Sequence, residues 1–321
     1  ASVSKVVGTT TAAMILVGEG QLDLDAMVVS YLPWWSSGDE RKNEITVRQL
    51  LLHRSGLPPF RRWFFDHQGA DDYKRAAADE MLDINPGVET VYSDIGIMTL
   101  AWVIEEVTQQ SLDTFLSDRL WNPLGMRETR YRPETFLRPR IAATELDTLW
   151  RKELVWGRVH DENADASGGV AGHAGLFSTV VDLSVFARML LNEGMSPACN
   201  PTQSLGEPCP VARLEQHRIV EQDVVDLFTR RYDGTSSRAL GWDTPSERSS
   251  GGDYLTSNAF GHTGYTGTSI WLDPELDLWV ILLTNRVHPT RDNQKHIPLR
   301  RAVHDAAALA ITDQSIRKRT S

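Results

Sequence analysis

Ser2-Val3-Ser4-Lys5-Val6-Val7-Gly8-Thr9-Thr10-Thr11-Ala12-Ala13-Met14-Ile15-Leu16-Val17 stands near the start of the chain, and its reading decides the fold. Val6, Val7, Ala13, Met14, Leu16 and Val17 predict an apolar helix that stops at Gly20. Ser2-x-x-Lys5 lies at the start of that helix. Residues three apart share a helix face, so the Lys5 ammonium reaches the Ser2 hydroxyl. The helix N-terminus favours negative charge developing on a carbonyl held there. A lysine crowded by other groups is expected to have its pKa lowered enough to accept a proton. The motif alone is weak, since average composition gives about one such match per chain of this length. Ser315-Ile-Arg-Lys318, in the basic tail, is a second match.

Two further triplets lie downstream. Tyr92-Ser93-Asp94 precedes a helix predicted over 94–108, with Ile95, Met98, Ala101, Val103, Ile104 and Val107 on its buried face. Alternate residues of an extended segment project to one side, so Tyr92 and Asp94 can share a cleft. A phenol beside an ammonium group ionises more easily and can serve as a general base. His262-Thr263-Gly264 precedes two apolar runs, 269–272 and 278–284, separated by Asp273-Pro-Glu-Leu-Asp277, which reads as a hairpin. Glycine in a strand allows close approach of a ligand to the backbone. Taken singly, Tyr92 reads better as a packed aromatic that satisfies its hydroxyl, and His262 as a surface loop histidine.

Between these points the chain is mostly helical. Thr46-Val-Arg-Gln49 is a capping box ahead of 50–52, and Gly56, Pro58 and Pro59 then make a loop. A helix is expected over 112–120, ended by Pro123 and Gly125. Thr179-Val-Val-Asp182 is a similar cap ahead of 183–191. Helices are also expected over 220–229 and 299–311, and 195–235 reads as a loop-rich insertion. Helices followed by antiparallel strands indicate an α+β fold.

In order and context the triplets resemble the penicillin-recognising serine hydrolases, whose motif set includes S-x-x-K and K-T-G. The nearer branch is that of class C β-lactamases, serine D-Ala-D-Ala carboxypeptidases and related esterases, which use S-x-x-K, Y-x-N and K/H-T-G. The resemblance extends over nearly the whole chain. It includes Ile45-Thr-Val-Arg-Gln-Leu-Leu-Leu-His-Arg-Ser-Gly-Leu-Pro58, Pro123-Leu-Gly-Met126, Gly168-Gly-Val-Ala-Gly-His-Ala-Gly-Leu-Phe-Ser178 and residues 261–285. It implies an α/β sandwich, an antiparallel sheet flanked by helices. The sheet domain would comprise 1–35 and 236–321, and the mostly helical domain 36–235. It also implies catalysis by Ser2, Lys5 and Tyr92, an oxyanion hole from the N–H groups of Ser2 and Tyr265, and substrate contacts from Asp94, His262, Thr263 and Gly264. No cofactor is implied. The substrate would be a small molecule or a peptidoglycan peptide, cleaved through a Ser2 acyl-enzyme by a D-Ala-D-Ala carboxypeptidase or esterase. β-Lactamase activity and a non-catalytic penicillin- or peptidoglycan-binding role are the alternatives.

Three departures qualify the match. His262 stands where β-lactamases carry Lys, which favours carboxypeptidase and esterase members. Asp94 stands where Asn is usual, and an ionised Asp accepts but cannot donate. Family members carry a strand pair and a helix before S-x-x-K, and almost nothing precedes Ser2 here. The expectation is therefore a chain lacking its N-terminal strands, with an unpaired sheet edge and reduced stability or activity.

Composition fits this reading. The 321 residues carry a net charge of −10, with 41% hydrophobic and 24% charged residues. No basic stripe signals nucleic acid. The longest apolar runs, 12–17 and 278–283, are too short to span a membrane. His160, Asp161, Glu162 and His173 lack metal-ligand spacing and read as structural or cleft-lining, and His53 reads as a loop hydrogen-bonder. No nucleotide loop or G-x-S-x-G elbow occurs. Cys199 and Cys209, in a Pro-rich loop, could close a disulfide or remain thiols. An exported location is expected if the source is bacterial. Oligomeric state is not indicated.

Overall fold

In the computed structural model, which describes residues 1–197, 216–247 and 249–319, the opening apolar run is helical but not uniform. Lys5–Thr10 is wound as a π-helix and leads directly into α1 (Thr11–Gly18). Lys5 through Leu16 are all buried, the polar Lys5, Thr9, Thr10 and Thr11 among them. The wider winding shows in Thr11 Oγ1, which donates to Val6 O five residues back at 2.7 Å. Such π turns often occur at functional positions.

Short helices α2 (Val28–Tyr31) and α3 (Val47–Leu51) follow. The predicted capping box starts α3: Thr46 Oγ1 accepts from Gln49 N, and Gln49 Oε1 accepts from Thr46 N. Next come α4 (Ala70–Asp79), α5 (Asp94–Thr108), α6 (Leu112–Leu116) and α7 (Asn122–Leu124). A π-helical stretch, Ser117–Trp121, stands where the sequence predicted one continuous helix over 112–120. The small ribbon β1 (Leu146–Asp147) and β2 (Glu153–Leu154) precedes α8 (Glu162–Ala166). After α9 (Val180–Leu191) and α10 (Gln222–Thr229) come strands β3 (Phe260–Thr263), β4 (Ser269–Asp273) and β5 (Leu278–Leu282), then α11 (His296–Leu309). Cys199 and Cys209, and with them the possible disulfide, lie outside the described residues.

The strands form an antiparallel sheet in the order β3-β4-β5, with His262 opposite Ile270 and Ser269 opposite Leu282. Asp273 sets the hairpin. Its buried carboxylate accepts from Thr256 N, Thr256 Oγ1 and Glu275 N at 2.6, 2.9 and 3.1 Å. Gly261 is required by packing, because a Cβ there would lie 2.4 Å from the Trp271 ring. Helices and antiparallel strands together make an α+β fold.

The chain divides into two compact units: 1–116 with 130–177, and 117–129 with 178–321. These bounds differ from the expected division. The first helix packs against α5, so residues 1–35 belong with the helical unit. Helix α9 packs on β4 and β5, so it belongs with the terminal sheet. Apolar pattern marks a helix's buried face without naming the surface that covers it.

Candidate active site

The first unit brings Ser2, Lys5, Tyr92 and Asp94 together. Lys5 is almost wholly buried, and its ammonium donates to Ser2 Oγ and to His173 O, each at 2.9 Å. Asp94 Oδ1 is 2.7 Å from the same nitrogen, and the Tyr92 ring centroid is 5.0 Å away. The expectation of a lowered lysine pKa is corrected here. Burial pushes Lys5 down, but the carboxylate of Asp94 and the phenol of Tyr92 together outweigh it and hold the ammonium above its ordinary value. Asp94, expected on the substrate, is engaged by Lys5.

The loop predicted after α3 holds Tyr92 and Asp94 in place. His53 O accepts from Val91 N at 2.8 Å, and His53 Nδ1 accepts from Ser93 N at 3.1 Å. Pro59 O accepts from Asp94 N at 2.9 Å. Ser93 Oγ donates to Pro58 O at 2.7 Å and accepts from Gly96 N at 3.1 Å, so one hydroxyl ties the loop and caps α5. The His53 ring lies 4.4 Å from that of Tyr92, centroid to centroid. Gly56 adopts φ +78°, and a Cβ there would lie 2.1 Å from Ile84 O, so only glycine fits this loop.

The segment 160–176 also reaches this cluster. Asp161 caps α8 by accepting from Ala164 N at 2.8 Å, and its Oδ1 lies 2.9 Å from His173 Nε2. Burial opposes ionisation of Asp161, but His173, the Ala164 N–H and the charge of Lys5 hold it well below the usual carboxylate range. His173 Nδ1 is buried and has no partner among the described residues. Sequence reading gave these residues a structural or cleft-lining role and missed that the His173 carbonyl receives the Lys5 ammonium. No spacing rule carries that signal, because the bond joins residues 168 apart. His160 Nε2 lies 2.9 Å from Glu145 Oε2. Among the described residues no three His, Cys, Asp or Glu side chains converge as a metal site.

In the second unit, His262 and Thr263 end β3, and His262 Nδ1 lies 2.8 Å from Thr263 O. The loop 264–268 has every carbonyl engaged. Gly264 O and Thr268 O accept from Arg300 Nη2 at 2.5 and 2.8 Å. Tyr265 O accepts from Arg286 Nε at 2.7 Å, Thr266 O from Arg286 N at 2.8 Å, and Gly267 O from Thr284 Oγ1 at 2.7 Å. The Arg286 guanidinium also lies over the Tyr265 ring at 4.0 Å. Two buried arginines thus fix the path of the Gly264–Tyr265 backbone, a role the sequence did not signal.

The family profile described as Beta-lactamase matches residues 1–305. An N-acetylmuramyl-L-alanine amidase of Bacillus subtilis (strain 168) is 33% identical over 316 residues, covering 90% of this chain and 67% of that protein. A putative D-alanyl-D-alanine carboxypeptidase of Salmonella typhimurium (strain LT2) is 30% identical over 325 residues, covering 93% and 71%. Among solved structures, a penicillin-binding protein homologue from Caulobacter crescentus superposes with a TM-score of 0.69 at 17% identity, covering 95% of this chain and 82% of that one.

Proposed function

This chain belongs to the Beta-lactamase family of serine hydrolases, and from that premise we propose that it cleaves its substrate through an acyl ester on Ser2. The observation that carries the reading is the single ammonium of Lys5, in contact with Ser2 Oγ, Asp94 and the face of Tyr92. Lys5 stays protonated, so it acts as a fixed positive charge and hydrogen-bond donor. Tyr92 is then the general base. Ser2 Oγ attacks the carbonyl as its proton passes to the Tyr92 side-chain oxygen. That proton next goes to the leaving amine or alcohol, whose bond to the acyl carbon breaks. Water repeats the sequence against the ester and frees Ser2. His262, Thr263, Gly264 and the Tyr265 N–H keep the substrate and oxyanion roles that the family resemblance implies.

The substrate class favoured is a peptide amide of peptidoglycan type, supported by the carboxypeptidase and amidase names of relatives at about 30% identity. Small esters are the second reading. Asp94 favours them, since it offers no N–H donor to a substrate amide and is already engaged by Lys5. The reading implies export if the source is bacterial. Among the described residues no helix is long and apolar enough to cross a membrane.

The test incubates the protein and its Ser2→Ala variant with a fluorescent penicillin, p-nitrophenyl acetate, a diacyl-L-Lys-D-Ala-D-Ala peptide and a muramyl-L-alanine amide. Labelling and turnover present in the native protein and absent in Ser2→Ala are expected, and the faster of the two amides names the bond cleaved. A folded native protein that neither labels nor turns over any of the four would sink the proposal in favour of a non-catalytic binder.

A further inference from the structure

A groove of about 280 Å³ lies away from Lys5 on the first unit. Helix α5 supplies one wall through Trp102, Glu105 and Glu106, which share a face by their spacing, and its C-cap Gln109 adjoins them. Trp34, just after α2, and Lys74 of α4 complete the rim. The volume approaches the lower end of the ~300–1,000 Å³ typical of small-molecule sites.

The lining is chemically mixed in a specific way. The Trp34 and Trp102 rings meet at 6.0 Å and 57°, forming an aromatic corner. Trp34 is 38% exposed, and neither indole N–H has a partner among the described residues. Carboxylate acceptors come from Glu105, which takes Leu112 N at 3.1 Å through one oxygen, and from Glu106. Donors come from the indoles, the Lys74 ammonium and the neighbouring Gln110 amide. The Gln110 side chain has no hydrogen-bond partner among the described residues, and Lys74 interacts electrostatically with Glu105.

Each simpler occupant meets an obstacle. An anion would face Glu105 and Glu106. A quaternary ammonium would face Lys74, and the two rings touch each other too closely to enclose it between them. A wholly apolar ligand would leave the carboxylates and amides unpaired. A sugar ring satisfies all of them: its C–H face covers an indole, and its hydroxyls both donate and accept. An acetamido substituent adds one N–H, one carbonyl and a methyl group, suited to a carboxylate, an amide or indole donor, and the second ring.

We propose that this groove is a saccharide-binding site for an N-acetylated hexosamine. The site stands apart from the Ser2 cluster and does not rest on the acyl-enzyme reading.

Isothermal titration with tri-N-acetylchitotriose tests it, with choline chloride as the competing cation. Saturable binding of the saccharide is expected, weakened about tenfold or more by Trp34→Ala and measurably by Gln110→Ala. Both positions are exposed, so both variants should keep their melting temperature, and p-nitrophenyl acetate turnover should be unchanged. Three results would overturn the proposal: no saturable binding to the native protein, binding unaltered in both folded variants, or choline binding that Trp34→Ala abolishes while the saccharide fails to bind. Loss of ester turnover in Ser2→Ala with saccharide binding intact would show the two sites to be independent.

Discussion

Lys5 shows how one side chain acquires its chemistry from its surroundings. Burial alone would strip its charge, and the opposing Asp94 carboxylate and Tyr92 phenol restore it. Because its folded pKa is raised, its stabilising contribution is fully present below the ordinary lysine value of about 10.4 and is lost as pH rises through the folded value. Asp94→Asn removes the ionic counterweight and leaves burial dominant. The alkaline limb of kcat/KM for p-nitrophenyl acetate should then move to lower pH by about one unit or more. Asparagine still accepts a hydrogen bond from Lys5, so the variant should fold. An alkaline limb that stays in place would show that the charge of Lys5 does not govern catalysis. Lys5→Met should lower acylation by about 10²–10⁴, the range of a lost proton-transfer or charge-stabilising group, measured as the rate of penicillin labelling.

At the level of elements, the junction of the 53–59 loop with the start of α5 matters most. Ser93 both caps α5 and donates to Pro58 O. Ser93→Ala should cost about 1–2 kcal/mol in denaturant unfolding, one cap and one buried bond. It should also lower kcat, since Tyr92 and Asp94 flank it. Thr46→Ala removes only the cap of α3 and should cost about 1 kcal/mol with kcat unchanged. Equal kcat losses in the two variants would argue against a special role for the loop. Both helix starts were legible in the sequence, α3 from its Thr46–Gln49 capping box and α5 from its apolar periodicity, because both signals are local. The roles of Arg286 and Arg300 were not legible, because their acceptors are backbone carbonyls 21 and 36 residues away.

For the molecule as a whole, carboxylates held strongly ionised are unevenly shared between the two units. Asp39, Asp113, Asp147 and Asp161, all in the first unit, are held below the ordinary carboxylate range. Arg41 is the main cause for Asp39. For the other three, burial works against ionisation and is outweighed by hydrogen bonds and nearby cations. In the second unit Asp253 alone among the described residues is similarly lowered, through Lys318 first, and it is more exposed. Depressed carboxylates stabilise the fold above the unfolded value near 3.9, and this is lost as pH falls through the folded values. Acidification below about pH 4 should therefore open the first unit before the second, read as earlier loss of hydrogen-exchange protection in 1–116 and 130–177. Simultaneous loss in both units would contradict this.

The sequence by itself determined what depends on near neighbours along the chain. The start of α5, the caps at Thr46 and Thr179, the β4–β5 hairpin and the Ser2–Lys5 spacing are all written within four to ten residues. The three triplets, quoted in order, also carried the family. Only the tertiary structure decided the charge of Lys5, the partner of Asp94, the place of His173 and the assignment of α1 and α9 to their units. Each of these depends on which distant surface arrives to bury or pair a group. A carboxylate at 2.7 Å reverses what burial alone would do to an ammonium, and neither distance nor burial is encoded in spacing.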